Sequence, residues 1–538
     1  MTADPKKPNI ILILADDMGF SDLGCTGSEI RTPNIDDLAN RGRLFTSMFN
    51  CARCCPTRAS MLTGLYPHKA GIGHMVGDYQ SPAYQGYLRN DAVTIAEVLR
   101  PAGYRTLMSG KWHVGGPYKP READLWTPGE VGNPTPRQRG FDRFFGTLDG
   151  SGSYVYPHYI GEDDTRVELD YSDFYMTDAV TDRAIGMIDD SVEDDTPFFL
   201  YLAYTAPHWP LQAPPEDIAR YRGSYLRGWD HIRTARHETM RSLGTLRHDW
   251  ALSPLDPDRN YPWEDEKNRD WEDARMATYA AMVDRMDQGI GRVMARLKAL
   301  GIADDTLVMF LSDNGGCAEF LAEDGWVDDY PDLSPGGQMR SGNIPGIDPG
   351  PGTTFQSYEG NWSSVSNAPF RKHKIWVHEG GISTPFIACW PNGIKKHETV
   401  HEAAHVVDIL PTIMEVTGAS YPSDHGGHAI QDFDGESLVP MFERADYQRQ
   451  QPIFWEHEGN CAFRIGEWKL VREFGRDWEL YNMDEDRTEL TDLRHSNEKR
   501  SRDLIRNYQD WADKMGVIDW QILQAHPAMN WTQEEKNA

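Results

Sequence analysis

The residues of this chain that could do chemistry collect just after its short apolar runs. Residues 10–15 are followed by Asp16-Asp17, and residues 306–311 by Ser312-Asp313-Asn314. Residues 104–108 lead into Gly110-Lys111-Trp112-His113, and residues 197–204 into Ala206-Pro207-His208-Trp209. In open parallel sheets ligands sit beyond the carboxyl ends of the strands, so these residues are expected along one sheet edge. Asp16, Asp17, Asp313 and Asn314 offer only oxygen donors, and such a set suits a hard divalent cation, Ca2+ or Mg2+. Asp and Asn at strand ends also begin turns and cap helices. Two such pairs, with a lysine and two histidines at equivalent strand ends, favour the site over the turn.

A nucleophile stands apart from this set. In Cys54-Cys55-Pro56-Thr57-Arg58-Ala-Ser-Met-Leu62-Thr63-Gly64, Pro56 suits a first helical position and Gly64 a helix stop. Cys54 then sits at a helix N-terminus, where the macrodipole favours negative charge. Arg58, four residues on, shares its face. A nucleophile beside an arginine at an anion-binding helix end is suited to receive a tetrahedral oxyanion.

Holding these groups requires a large sheet. Residues 9–15, 104–108, 197–204, 306–311 and 384–389 read as strands; most are buried apolar runs rather than alternating ones. Helical spacing runs through residues 94–99, through 274–300 up to Gly301, and through 406–416 up to Gly418. Strands alternating with helices indicate an α/β class with a large, mostly parallel or mixed sheet sandwiched by helices, assigned to residues 1–435. Short alternating strands at 453–456, 462–465, 468–471 and 479–481, then a helical stretch at 498–514, indicate a smaller C-terminal α+β domain with an antiparallel sheet, residues 436–538. Segments 216–268 and 319–366 lack periodicity and read as lids or substrate-facing insertions.

Composition sets the bounds. The 538 residues are 39% hydrophobic and 25% charged, ordinary globular usage. With 54 Lys and Arg against 83 Asp and Glu the net charge is −29, which argues against nucleic-acid or anionic-membrane partners. No stretch approaches the roughly 20 apolar residues of a membrane span. The first eight residues lack a signal-peptide core, so the chain as it stands is expected in the cytoplasm, or in the periplasm if a leader was removed. Seven cysteines, an odd and sparse set, argue against a disulfide framework.

The segment Cys54-x-Pro56-Thr57-Arg58-x-x-x-Leu62-Thr63-Gly64 resembles the signature of the type I, formylglycine-dependent sulfatases of the alkaline phosphatase superfamily. The resemblance runs collinearly through Asp16-Asp17-Met-Gly, Gly110-Lys111-Trp-His113, Arg139-Gly-Phe-Asp-Arg-Phe-Phe-Gly146, Ala206-Pro-His208, Leu311-Ser-Asp313-Asn314-Gly and Trp478-Glu-Leu-Tyr481, and looks most like the bacterial arylsulfatases. Thr57 stands where the family often has Ser, and the variable position holds a second cysteine, Cys55. The resemblance implies hydrolysis of aryl or carbohydrate sulfate monoesters. It implies oxidation of Cys54 to Cα-formylglycine by a formylglycine-generating enzyme, and one Ca2+, or Mg2+, per chain on Asp16, Asp17, Asp313 and Asn314. The hydrated aldehyde attacks sulfur and later expels sulfate by collapsing back. Arg58 would hold a diol oxygen, Lys111 would bind sulfate and diol, and His113 would take the proton that drives collapse. His208 would protonate or stabilise the departing oxygen, and Lys374 would contact sulfate.

Other signals compete. A phosphodiester or phosphonate monoester hydrolase of the same superfamily is the nearest rival, but those relatives tend to carry His where this chain has Asn314. His401-Glu402-Ala-Ala-His405 matches the zinc-peptidase pattern, with both histidines expected on one helix face and Pro411 ending that helix early. Arg220, Arg222, Arg227, Arg233, Arg236, Arg241 and Arg247 make one segment basic, either a solvated face or a rim attracting anions. His457, from the small domain, could close the pocket. Oligomeric state has no signature in the chain.

Overall fold

The computed structural model describes residues 7–116, 129–257, 259–323, 333–337 and 339–529. Its main sheet is built from β1 (Asn9–Ala15), β2 (Arg43–Phe49), β3 (Arg105–Gly110), β4 (Arg143–Gly146), β5 (Gly161–Glu162), β6 (Thr165–Arg166), β7 (Phe198–Ala203) and β8 (Thr306–Ser312). Short β9 (Arg340–Ser341) and β10 (Thr354–Phe355) pair separately; then β11 (Ser383–Cys389), β12 (Glu398–Val400) and β13 (Ala404–His405) rejoin the main sheet. The order is β12-β2-β11-β8-β1-β7-β3-β4-β5-β6, with β13 also on β2. The centre β8-β1-β7-β3-β4 is parallel, and β11 runs antiparallel between β8 and β2.

The central strands are buried on both faces, which is why they read as continuous apolar runs. Their alternation still sorts the two sides. Ile11, Ile13, Leu200, Leu202, Val308 and Phe310 enter one core with the helices Met176–Glu193 and Arg269–Ala299. Ile10, Leu12, Leu14, Phe199, Tyr201 and Met309 enter the other, covered by the helices Cys54–Thr63 and Ile409–Thr417. Each such buried side chain is worth about 1.5–3 kcal/mol relative to exposure, so the sheet is a stiff base for what its edge carries.

After the hairpin β14 (Asp424–His425) and β15 (His428–Ala429), a second sheet, β16 (Ile453–His457), β17 (Asn460–Ile465), β18 (Trp468–Arg472) and β19 (Glu479–Asn482), is antiparallel throughout. The helix Glu498–Met515 packs on it through Leu504, Tyr508, Trp511 and Met515, and Tyr66 and Val407 of the larger part share that cluster.

Four local expectations are corrected. Pro56 is the third helical residue; Cys54 is the first. Segment 216–268 contains the helix Trp229–Leu243, whose buried face includes Arg233 and Arg236, so apolar periodicity could not reveal it. Pro411 does not end a helix: it lies in the first turn of Ile409–Thr417, where its missing N–H costs nothing. Residues 401–405 are not helical either; His405 is in β13. Of the irregular segment 319–366, residues 324–332 and 338 lie outside the described ones.

Candidate active site

Register brings the strand ends level. Ala15 pairs with Ser312, Leu14 with Ala203, and Gly110 with Ala203. The ladder runs on for one more residue, with Asp313 N–H donating to Ala15 O at 3.1 Å and Lys111 N–H to Ala203 O at 2.8 Å. Asp16, Asp313 and Lys111 therefore leave neighbouring strands at one height. Gly110, with φ 121°, permits the turn; a Cβ there would lie 1.8 Å from Ala203 O.

From the opposite side, the helix Cys54–Thr63 points its N-terminus at this edge and stops at Gly64, whose φ is 69°. The sulfurs of Cys54 and Cys55 and a His113 nitrogen lie within 4.8 Å of one another. A hydrogen bond from Cys55 pulls the Cys54 thiol well below its ordinary value, burial opposes this, and Lys111 and His113 add to the lowering. Arg58, fully buried, donates to Asp313 Oδ2 at 2.7 and 3.1 Å and to Lys111 O at 3.0 Å. Burial works against its charge, but Tyr201, Asp313 and Asp16 outweigh that and hold it protonated.

The oxygen donors meet as expected. Asp17 N–H donates to Asp313 Oδ1 at 3.2 Å, and Asn314 Nδ2 donates to Asp17 Oδ1 at 2.7 Å. Asp16 Oδ1 and Asn314 Oδ1 are buried with no hydrogen-bond partner among the described residues. Two orphaned buried acceptors beside three buried carboxylates are what a hard cation would satisfy, so the residues fit such an ion. Burial, then the charge of Asp313, raises Asp16 well above the usual carboxylate range.

Two lysines share these carboxylates. Lys111 Nζ is 2.6 Å from Asp16 Oδ2, and Lys374 Nζ is 3.0 Å from Asp17 Oδ2. His208 Nε2 faces Lys374 Nζ and Asp17 Oδ2, each at 3.3 Å, while its Nδ1 lies 2.7 Å from Trp209 O. With Nδ1–H donating to that carbonyl, Nε2 is the acceptor in the neutral ring. Burial, then Lys374 and Lys111, holds His208 well below its ordinary value; burial likewise lowers His113. The positions predicted from sequence, Cys54, Arg58, Lys111, His113, His208, Lys374, Asp16, Asp17, Asp313 and Asn314, thus converge, all of them buried.

The structure adds neighbours that sequence reading missed. Glu319 lies 3.1 Å from Arg53 and 3.7 Å from Lys374, and accepts from Trp209 Nε1 at 2.7 Å. Despite burial, Lys374 and Arg53 hold it far below the usual carboxylate range. Its only signal was its place at the start of an irregular segment after β8. Gly150 abuts His113: a Cβ there would lie 2.5 Å from the ring.

Other expectations fail. His401 Nδ1 faces Thr46 Oγ1 at 2.8 Å, and His405 Nε2 faces Cys51 Sγ at 3.9 Å, so the two rings do not share a helix face and form no zinc-peptidase site. Arg236 pairs with Asp22 and Glu29, Arg222 with Asp273, and Arg233 donates to Ser253; both Arg233 and Arg236 are buried, which removes them from any anion-attracting rim. His457 is buried, with its ring 5.4 Å from that of His74.

Comparison with known proteins finds relatives in both sequence and fold. The profile of the Sulfatase family matches residues 8–419, and that of the N-sulphoglucosamine sulphohydrolase C-terminal region matches residues 370–511. An uncharacterized sulfatase of Schizosaccharomyces pombe is 33% identical over 96% of this chain and 95% of its own length. The arylsulfatase of Klebsiella aerogenes is 33% identical over 77% of this chain and 88% of its own. The crystal structure of Ps i-CgsB with k-i-k-neocarrahexaose superposes with a TM-score of 0.66 at 26% identity, covering 99% of this chain and 96% of that one.

Proposed function

The chain belongs to the sulfatase family and is a sulfuric ester hydrolase, and on that premise we propose that it cleaves aryl or carbohydrate sulfate monoesters with Cys54 as the precursor of its nucleophile. The observation that carries this reading is the placement of Cys54: first residue of a buried helix, beside His113 and Lys111, with Arg58 bridging to Asp313. Oxidised to Cα-formylglycine by a formylglycine-generating enzyme, Cys54 would supply an aldehyde hydrate as nucleophile. Asp16, Asp17, Asp313 and Asn314 would hold Ca2+ or Mg2+, which supplies positive charge against the sulfate oxygens.

The chain's other residues then have distinct tasks. Lys111 sits on Asp16 and Lys374 on Asp17, and both would turn their ammonium groups onto sulfate oxygens. Arg58 keeps its charge while fully buried and orients Asp313. His113, held unprotonated by burial, is placed to accept a proton at the Cys54 position. His208 Nε2 and Lys374 Nζ, 3.3 Å apart, form the pair that faces the departing ester oxygen.

The reading of aryl or carbohydrate substrates is supported by relatives named arylsulfatase and N-acetylgalactosamine-6-sulfatase. The experiment is turnover against a panel of aryl, sugar and alkyl sulfates for the parent chain, Cys54→Ala and Cys55→Ala. Loss of all turnover in Cys54→Ala with retention in Cys55→Ala supports the reading; equal turnover in Cys54→Ala overturns it.

A further inference from the structure

A second cluster of metal-ligating side chains lies outside the site described above. His74 follows the helix Pro67–Ala70, and His457 and Glu458 sit at the turn from β16 to β17. The two imidazole rings are 5.4 Å apart. Glu458 Oε1 is 3.4 Å from His457 Nε2 and 3.9 Å from His74 Nδ1, and one donor atom from each of the three lies within 4.8 Å of the others. His74 and His457 are 2% and 0% exposed. His74 Nδ1, both nitrogens of His457 and Glu458 Oε1 are buried without a hydrogen-bond partner among the described residues. Buried polar groups almost always have partners; here Glu458 Oε1 and His457 Nε2 meet only each other, at 3.4 Å without hydrogen-bond geometry, and His457 Nδ1 and His74 Nδ1 meet no hydrogen-bonding group among the described residues, so the place suits a ligand.

The backbone supports the same conclusion. Glu458 has φ 51° and Gly459 φ 75°, so the two-residue turn has the left-handed form that favours Asn, Asp or Gly at its first position. A glutamate there is strained, and such strain concentrates at functional positions. Its side chain is only 10% exposed although it caps a hairpin. The charge of Arg53, which pairs with Glu319 at 3.1 Å, also acts on Glu458.

We propose that His74, His457 and Glu458 bind a second metal ion, a borderline-soft divalent cation of the zinc class, separate from the oxygen-donor set of Asp16, Asp17, Asp313 and Asn314. Two imidazoles and one carboxylate are a recurrent zinc ligand set, whereas Ca2+ and Mg2+ prefer oxygen. Bonds of about 2.0–2.1 Å in tetrahedral array place donor atoms about 3.4 Å apart, close to the 3.4 and 3.9 Å found. Three protein donors leave a fourth position for water or an anion. The ion would pin the β16–β17 turn to the loop holding Met75, whose sulfur is 3.3 Å from Cys55 Sγ. It does not depend on the nucleophile assigned above.

The test uses the full chain, stripped of transition metals, with Ca2+ saturating the oxygen set, and titrated with Zn2+ and then Co2+. One Zn2+ per chain is expected, and Co2+ should give the visible bands of a tetrahedral site. Glu458→Asn keeps a residue that tolerates the left-handed turn, so the fold should persist while Zn2+ affinity falls by more than the roughly 10–100-fold that loss of an outer partner costs. His457→Ala should do the same, and His401→Ala should leave Zn2+ binding unchanged. Absence of stoichiometric Zn2+ overturns the proposal, as does binding that survives both Glu458→Asn and His457→Ala. A raised KM for sugar sulfates in His457→Ala, with no ion bound to the parent chain, also overturns it and marks the cluster as a substrate subsite.

Discussion

Lys111 Nζ lies 2.6 Å from Asp16 Oδ2, and both side chains are fully buried. With Lys374 on Asp17 and Arg58 on Asp313, three cations face three carboxylates. A divalent cation added to that balanced set leaves excess positive charge, and an arriving sulfate offsets it. Cation and sulfate should therefore bind cooperatively: inorganic sulfate should tighten Ca2+ binding by about 5–150-fold, the usual range of such coupling. Calorimetric titration of Ca2+ with and without sulfate checks this. In Lys111→Ala, Ca2+ should bind more tightly alone, because no lysine competes for Asp16, and the coupling should shrink. Ca2+ affinity indifferent to sulfate would contradict the arrangement.

His208 and His113 should fail differently. If the His208 and Lys374 pair serves the departing oxygen, His208→Ala should slow alkyl and sugar sulfates by about 10²–10⁴-fold, the usual contribution of proton transfer. It should slow nitrophenyl sulfate much less, since that alcohol leaves unaided. His113→Ala should slow both classes and show a burst of released alcohol. Equal slowing of aryl and alkyl sulfates in His208→Ala would instead assign His208 to positioning sulfate.

Gly150 gives a test of positioning. A Cβ there would meet His113 Cε1 at 2.5 Å, so Gly150→Ala must displace the ring. A misplacement near 1 Å can cost about 10²-fold. We expect kcat to fall on that order with the melting temperature nearly unchanged. Unchanged kcat would mean that His113 has no fixed role.

Much of the site was legible because its residues follow strands whose burial pattern is unambiguous. Asp16, Asp313, Lys111 and Cys54 are each tied by the backbone to a strand end or helix start, and parallel register does the rest. Lys374 was reachable only by resemblance, since no strand precedes it directly. Gly150 carried no signal and Glu319 only its place after β8, because their roles arise from contacts across distant segments. The helix Trp229–Leu243 was missed because its buried face carries arginines paired to remote carboxylates, which hides the apolar period. The His-Glu-x-x-His pattern misled for the opposite reason: its spacing has meaning only on a helix, and β13 pairs His405 with Phe49 instead.

The central claim is that Cys54, not Cys55, becomes the nucleophile. Its most direct test is peptide mass spectrometry of active protein co-produced with a formylglycine-generating enzyme. The fragment spanning residues 54–58 should have lost one sulfur and two hydrogens and gained one oxygen, with fragment ions assigning the change to residue 54. Fully active protein in which Cys54 is an unmodified thiol would contradict the account.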